Sequence, residues 1–166
     1  MIIGTVCRAI EDRIKADTGT GGLYLSGAWN TTILQGGAWA MNARPTVAPA
    51  SLFPYLVFGV QAQGTHGFID DLFECTATFN VYDESVQGLS RISSVLDRLF
   101  GNAVLVSGRT PGWGFHRHTL VLSTNDYSAT GGDMTCKSLS VEPLDEHRNQ
   151  GTISFDFTFS ALAANP

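Results

Sequence analysis

The sequence predicts an α+β domain, in which two helices cover one face of a mainly antiparallel sheet. Two segments show the apolar spacing of amphipathic helices, and several others alternate apolar and polar residues as strands do. Their order is helix, strands, helix, strands, without the regular alternation that indicates a parallel sheet. At 166 residues, of which 43% are hydrophobic, the chain is expected to fold as one domain over residues 1–166.

The first helix is predicted over roughly residues 2–16, because Ile3, Val6, Ile10 and Ile14 follow helical spacing. The glycines of DTGTGG, at 17–22, are expected to end it. Residues 18–52 contain turn residues throughout and short β-prone pieces, and we interpret them as a long insertion or arm.

This insertion is poor in charge. Between Asp17 and Asp70 the only charged residue is Arg44, yet the stretch contains Trp29, Trp39 and further aromatic residues. Protein interfaces are depleted of charge and enriched in aromatic side chains. We therefore expect Trp29, Trp39 and Arg44 to lie at a subunit interface. The alternative is that the segment forms extra strands against the domain's own core.

The clearest strand of the chain is LFECTATFNVYD at 72–83, and a shorter buried strand begins at Pro54 with PYLVFGVQ. In the longer strand, the residues that point to the predicted core are Phe73, Cys75, Ala77, Phe79 and Val81. The residues that point the other way are Glu74, Thr76, Thr78 and Asn80.

A second helix follows this strand directly. Ser85 is its predicted N-cap, and Asp83 and Glu84 are placed to favour the positive end of its dipole. The helix is expected to stop at Gly101. Its predicted buried face consists of Val86, Leu89, Ile92, Leu96 and Leu99.

The remaining sequence predicts strands around AVLVSG (103–108), HTLVLST (118–124), TCKSLSV (135–141) and TISFDFTFSA (152–161). In the last strand, Asp156 and Thr158 belong to the polar side. The charged run EPLDEHRNQ predicts an extended loop over 142–151, and TGTGG (18–22) and TGGD (130–133) are interpreted as turns.

The sharpest enzyme-like signal is HRH at 116–118. In a strand, His116 and His118 would share a face, and paired imidazoles are common metal ligands. No third ligand is apparent, so we expect two polar residues at the start of a strand and no metal. Asp70, Asp71 and Glu74 are interpreted as a solvated strand entrance. No nucleophile or phosphate-loop motif is present, so we expect no catalytic residues, no cofactor and no enzymatic activity.

Composition narrows the class of protein further. The net charge is −5 without a basic patch, which disfavours tight binding to nucleic acid phosphates. Three widely spaced cysteines fit a reduced compartment better than a disulfide framework. Neither a signal peptide nor a membrane span is predicted, so we expect a protein made in the cytosol.

The order of these segments resembles the tail terminator, or tail-completion, proteins of long-tailed bacteriophages. The resemblance spans most of the chain, in the segments IIGTVCRAIEDRI, FPYLVFGVQ, FECTATFNVYDES, VQGLSRISSVLDRLFG and GTISFDFTFSA. It implies a homohexameric ring in the virion, at the head-proximal end of the tail tube, assembled in the host cytoplasm. Such a ring stops tube polymerisation and joins the tail to the head connector. The segment at 18–52 and the run at 142–151 depart from the family's pattern.

The resemblance also implies a channel through which duplex DNA passes without specific binding. The residues expected to face that channel are Glu74, Thr76, Thr78, Asn80, Asp156 and Thr158. Two alternatives of the same kind are a head-side stopper and a tail-tube protein. An alternative from another class is a small metal-binding enzyme that uses His116 and His118.

Overall fold

The structure is a computed structural model, and it describes residues 2–19, 21–41, 52–64, 72–84, 88–101, 113–123 and 127–163. In chain order these residues form α1 (Ile2–Lys15), β1 (Tyr24–Leu25), β2 (Ala28–Trp29), β3 (Ala38–Ala40), β4 (Tyr55–Gly64), β5 (Leu72–Glu84), α2 (Gly88–Phe100), β6 (Thr119–Ser123), β7 (Tyr127–Asp133), β8 (Thr135–Pro143) and β9 (Arg148–Ala163). The α+β prediction is confirmed. Neither helix is long and apolar enough to cross a membrane, within the residues just given.

Seven strands form the main sheet, in the order β3-β4-β5-β9-β7-β6, and β8 also pairs with β9. Strands β3 and β4 are parallel, while the other pairs of this sheet are antiparallel. The 16-residue β9 changes partner along its length: Asn149–Asp156 pair with β8 and Phe159–Ala163 with β7. The sheet therefore forks at the middle of β9.

The core lies between the sheet and the two helices. Strands β4, β5 and β9 contribute a row of aromatic rings, in which Phe79 lies 6.0 Å from Phe58 and 5.9 Å from Phe155 between centroids. A Cβ atom on Gly151 would lie 2.4 Å from Cγ2 of Ile92, so the absence of a side chain lets α2 approach β9 closely. The helix residues buried in this core are Val6, Ile10 and Ile14 of α1 and Ile92, Val95, Leu96 and Leu99 of α2.

The segment between α2 and β6 ties the C-terminal ends of the two helices together. Nε1 of Trp113 donates to the carbonyl oxygen of Arg13 at 2.5 Å, and Nη2 of Arg13 donates to that of Gly114 at 3.1 Å. The amide of Phe115 donates to the carbonyl oxygen of Leu99 at 2.8 Å. Carbonyl groups that a helix end leaves without an intrahelical partner are thus satisfied from outside the helix.

The predicted apolar face of α2 is wrong at its first turn, because Leu89 is 57% exposed. That turn faces the sheet through Arg91, whose Nε and Nη2 donate to the two carboxylate oxygens of the buried Asp83 at 2.7 and 2.6 Å. Asp83 thus forms an ion pair with the first turn of α2 through the guanidinium of Arg91. The predicted N-cap Ser85 and the apolar Val86 lie outside the described residues.

The predicted extended loop at 142–151 is wrong. Strand β8 runs to Pro143 and β9 begins at Arg148, so only a four-residue turn remains between them. The charges that suggested a loop close this turn, because Asp145 accepts from the amide of His147 at 2.8 Å and from Nε of Arg148 at 2.9 Å.

The motif TGGD at 130–133 belongs to β7 rather than to a turn. Its residues take part in pairing with both β6 and β9, and strand context here prevails over the turn preference of glycine. The strand predicted from AVLVSG at 103–108 lies outside the described residues.

The described part of the predicted insertion folds onto the domain and does not form an arm. Strands β1 and β2 make a hairpin, and β3 joins the edge of the main sheet beside β4. Leu23, Leu34 and Ala38 are buried in the core. The alternative interpretation, extra strands against the domain's own core, therefore applies to residues 21–41.

Candidate functional site

The face of the sheet that points away from the helices, here called the outer face, brings together the residues assigned to a channel. Glu74 lies opposite Thr158, and Thr76 lies opposite Asp156, in the register of β5 and β9. Thr78 and Asn80 continue the row toward the other end, opposite Ser154 and Thr152. The intervening residues of β5, which point to the helices, are Cys75, Ala77, Phe79 and Val81, and all are buried.

Hydrogen bonds between side chains run across the outer face. Oγ1 of Thr76 donates to Oδ1 of Asp156 at 2.8 Å, and the hydroxyls of Thr78 and Ser154 are 3.3 Å apart. Oγ1 of Thr152 donates to Oδ1 of Asn80 at 2.9 Å. Cross-strand pairs of this kind stabilise a sheet and hold the hydroxyl groups in place. The row is therefore an ordered polar surface.

The outer face also carries a base that sequence reasoning missed. Nζ of Lys137 on β8 lies 3.9 Å from Oδ2 of Asp156, and the two side chains are 61% and 49% exposed. The register of β8 on β9 shifts between Cys136 and Ser138, so simple alternation could not place Lys137. A pair this exposed contributes little to stability, but it removes part of the negative charge of the face.

An open groove of about 820 Å³ lies on the outer face at the fork of β9. Acidic, amide and hydroxyl side chains dominate its lining, with one lysine. The groove is lined by Gln61, Ala62, Gln63, Glu74, Cys75, Thr76, Asp133, Thr135, Lys137, Asp156, Phe157 and Thr158. Its charged residues are Glu74, Asp133, Asp156 and Lys137, so carboxylates outnumber the single ammonium group.

The two tryptophans assigned to an interface lie close to each other at the β3 edge of the sheet. A Cβ atom on Gly37 would lie 2.8 Å from Nε1 of Trp29 and 3.3 Å from Nε1 of Trp39, so this glycine sits between the indoles. Nε1 of Trp39 donates to the carbonyl oxygen of Gly36 at 2.7 Å. Both indoles are half-buried, and Trp29 packs against the core. Arg44 lies outside the described residues.

The HRH motif does not form the start of a strand. Strand β6 begins at Thr119, and Arg117 has a φ of 62°, so His116 and His118 do not share a strand face. The ring of His116 stacks on Phe100 at 4.6 Å between centroids, and its Nδ1 accepts from the amide of Cys136 at 3.3 Å.

The possible metal ligands of the described residues do not form a cluster. Across the described ranges, no three His, Cys, Asp or Glu side chains are placed together as a metal site requires. Asp70 and Asp71 of the predicted strand entrance lie outside those ranges.

The stability of the domain is expected to depend on the protonation of His118. Burial lowers the pKa of His118, Arg13 lowers it further, and Asp133 opposes this change. The unfolded chain therefore takes up the proton first as the pH falls below about 6.5. The stability that the folded domain gains from keeping His118 neutral is therefore complete above that pH. It is lost as the pH falls toward the folded-state pKa.

We therefore expect His118→Gln to flatten the fall in thermal unfolding midpoint between about pH 7.5 and about pH 5. His147→Gln, at an exposed position in the turn before β9, is the matched control and should retain the wild-type pH profile. A His118→Gln profile that parallels the wild type would contradict this assignment.

No protein-family model matches this chain, and no curated protein matches it. Among the solved structures that match, one aligns with 96% of this chain and 94% of its own chain, with 16% identical residues and a TM-score of 0.48. A likeness at this level carries no conclusion about function.

Proposed function

We propose that this chain is a structural virion protein of the tail-terminator kind, a ring-forming subunit without catalytic activity. In this proposal the ring caps the tail tube of a long-tailed bacteriophage and ends polymerisation of the tube. It contacts the tail-tube protein on one side and the head connector or stopper on the other. The proposal rests on the resemblance of the order of the sequence segments to that family and on the outer face of the sheet.

The outer face is the observation that carries the proposal. The helices occupy one side of the sheet, so the ordered row of hydroxyl, amide and carboxylate groups remains on the other. DNA sliding through a channel is hindered by every phosphate that a basic residue neutralises. A wall of short polar side chains with more acid than base allows passage without adhesion. These properties suit Glu74, Thr76, Thr78, Asn80, Asp156 and Thr158 as channel-facing residues.

The proposed channel is tested by reversing its charge. We expect Glu74→Lys combined with Asp156→Lys to make the assembled protein retain duplex DNA, because each new ammonium group can neutralise a phosphate. Fluorescence anisotropy of a labelled duplex measures the binding, which should weaken as salt rises. The wild-type protein should show no retention.

Asp12→Lys combined with Asp97→Lys is the matched control, since it makes the same change of charge at exposed positions on the two helices. This control should bind DNA much more weakly than the outer-face variant. Equal retention by the two double variants would show that net charge, and not a channel, determines binding. An assembled outer-face variant that ignores DNA at low salt would remove these acids from the channel.

A further inference from the structure

Of the six exposed large apolar side chains among the described residues, four lie in or directly after β3 and β8, two edge strands of the main sheet. Met41, which directly follows the edge strand β3, is 57% exposed. At the opposite edge, Leu139 and Val141 of β8 are 56% and 38% exposed, and Leu144 directly follows that strand. The other two, Leu89 of α2 at 57% and Leu52 before β4 at 39%, lie in neither of these strands.

The middle part of each edge strand lacks the features that usually protect an edge, although in β8 this part is flanked by Lys137 with a register shift and by Glu142 and Pro143. Proteins that remain single protect such edges with charged side chains, proline or bulges. Strand β3 reads Ala-Trp-Ala, and the middle of β8, Ser138–Val141, is free of charge between Lys137 and Glu142. Over the ranges that the structure covers, no strand pairs with the second edge of β3, or with that of this part of β8. The two uncharged stretches are similar in length.

The directions of β3 and β8 also suit pairing between two copies. Strand β3 is parallel to β4, while β4–β5, β5–β9 and β9–β8 are each antiparallel pairs. Strand β8 therefore runs opposite to β3. If two copies lie side by side in the same orientation, β8 of one copy meets β3 of the next as an antiparallel pair, which forms well-aligned hydrogen bonds.

Side-chain size is complementary across these edges. Leu139 and Val141 lie opposite Ile153 and Gly151, and so project on the side of the sheet that carries the helices. On β3 the residues on that side are Ala38 and Ala40, which lie opposite Leu56 and Phe58. Small residues on one strand leave room for large ones on the neighbouring strand.

The outer face shows the reverse arrangement. Met41 belongs to the outer face of its own copy, where a Cβ atom on Gly59 would lie 2.9 Å from its Cε. The β8 residues on that face are serines, Ser138 and Ser140, which lie opposite Ser154 and Thr152.

We propose that β8 of one copy adds to β3 of a second copy, so that a single heterologous contact continues the sheet from one subunit to the next. A contact between two different surfaces of the same chain repeats head to tail and closes into a ring when the rotation permits. Main-chain hydrogen bonds provide the pairing, and burial of Leu139, Val141 and Met41 provides the apolar part. This inference rests on the proposed ring, and it also specifies the surfaces that form it.

Two edge variants test the contact by light scattering and sedimentation velocity. Met41→Glu blocks the β3 edge, Leu139→Glu blocks the β8 edge, and Leu89→Glu is a control at equal exposure away from both edges. We expect the wild type and the control to form rings of about six subunits. Each edge variant alone should have the mass of a monomer, and its circular dichroism spectrum should be that of a folded protein. An equimolar mixture of the two should give heterodimers, because one intact β3 edge and one intact β8 edge remain.

The outcomes separate this inference from the proposed function. Rings of wild-type mass in both edge variants would overturn the inference and leave the ring itself in place. A wild-type assembly that only Leu139→Glu disrupts would mean that β8 pairs with β8, and would also overturn the head-to-tail contact. A wild-type chain that stays monomeric at high concentration would overturn the proposed ring together with this contact.

Discussion

Replacing Phe79 with alanine is expected to lower the free energy of unfolding by about 3–5 kcal/mol. The side chain is fully buried and its ring lies 5.0 Å from that of Phe115, in addition to its contacts with Phe58 and Phe155. Truncation removes apolar contacts with rings from three other segments and leaves a cavity that those rigid rings cannot easily fill.

Chemical denaturation, with the slope held in common between variants, measures this loss. Phe73→Ala is the matched control, because Phe73 points to the same side of β5 but is only half-buried. We expect the control to lose clearly less stability than Phe79→Ala. A loss below about 1 kcal/mol for Phe79→Ala would contradict its place at the centre of the core.

The second large effect is expected at Asp17, where α1 ends. Its carboxylate accepts from Arg98 of α2, through Nε at 3.1 Å and through Nη2, and from the amide of Leu23 at 2.9 Å. The side chain of Asp17 is 1% exposed, whereas that of Arg98 is 33% exposed. We expect Asp17→Ala to lower the free energy of unfolding by about 3 kcal/mol, because it leaves a guanidinium and a buried amide without their acceptor.

Glu11→Ala provides the comparison, since Glu11 pairs with Lys15 on the exposed surface of α1. An exposed pair one helical turn apart contributes about 0.3–0.5 kcal/mol, so this variant should be nearly as stable as the wild type. Asp17→Asn should fall between the two, because the amide oxygen can still accept from Leu23. Equal losses for Asp17→Ala and Glu11→Ala would show that the buried ion pair does not hold the helix ends together.

Local sequence patterns predicted those features that depend on a single periodicity. The alternation in β5 correctly separated its two faces, and helical spacing correctly predicted α1 and the later turns of α2. Leu89 fits the same spacing, but its side chain is exposed. Its turn contacts the sheet instead through Arg91, which binds Asp83. Spacing identifies an apolar stripe and does not reveal which part of the stripe lies over the sheet.

Features that depend on pairing between distant segments could not be predicted from one sequence. Asp17 and Arg98 are 81 residues apart, and neither position indicates the other. Strand β3 is three residues long and has no periodicity to detect. The position of Lys137 depends on a register shift, and the fork of the sheet depends on β9 serving two partners. The two rows of polar residues on the outer face were therefore predicted, but Lys137 and the groove were not.

The contact between the two helix ends has a mechanical consequence. At this point Gly101, with φ 83°, and Gly114, with φ 143°, approach so closely that a Cβ atom on Gly114 would lie 2.1 Å from Cα of Gly101. Any side chain there would push α2 away from the segment that also holds α1. While this contact remains, force applied to one helix is transmitted to the other through a short path of backbone and hydrogen bonds. The two helices are therefore expected to move over the sheet together, as one plate, when the domain is under load.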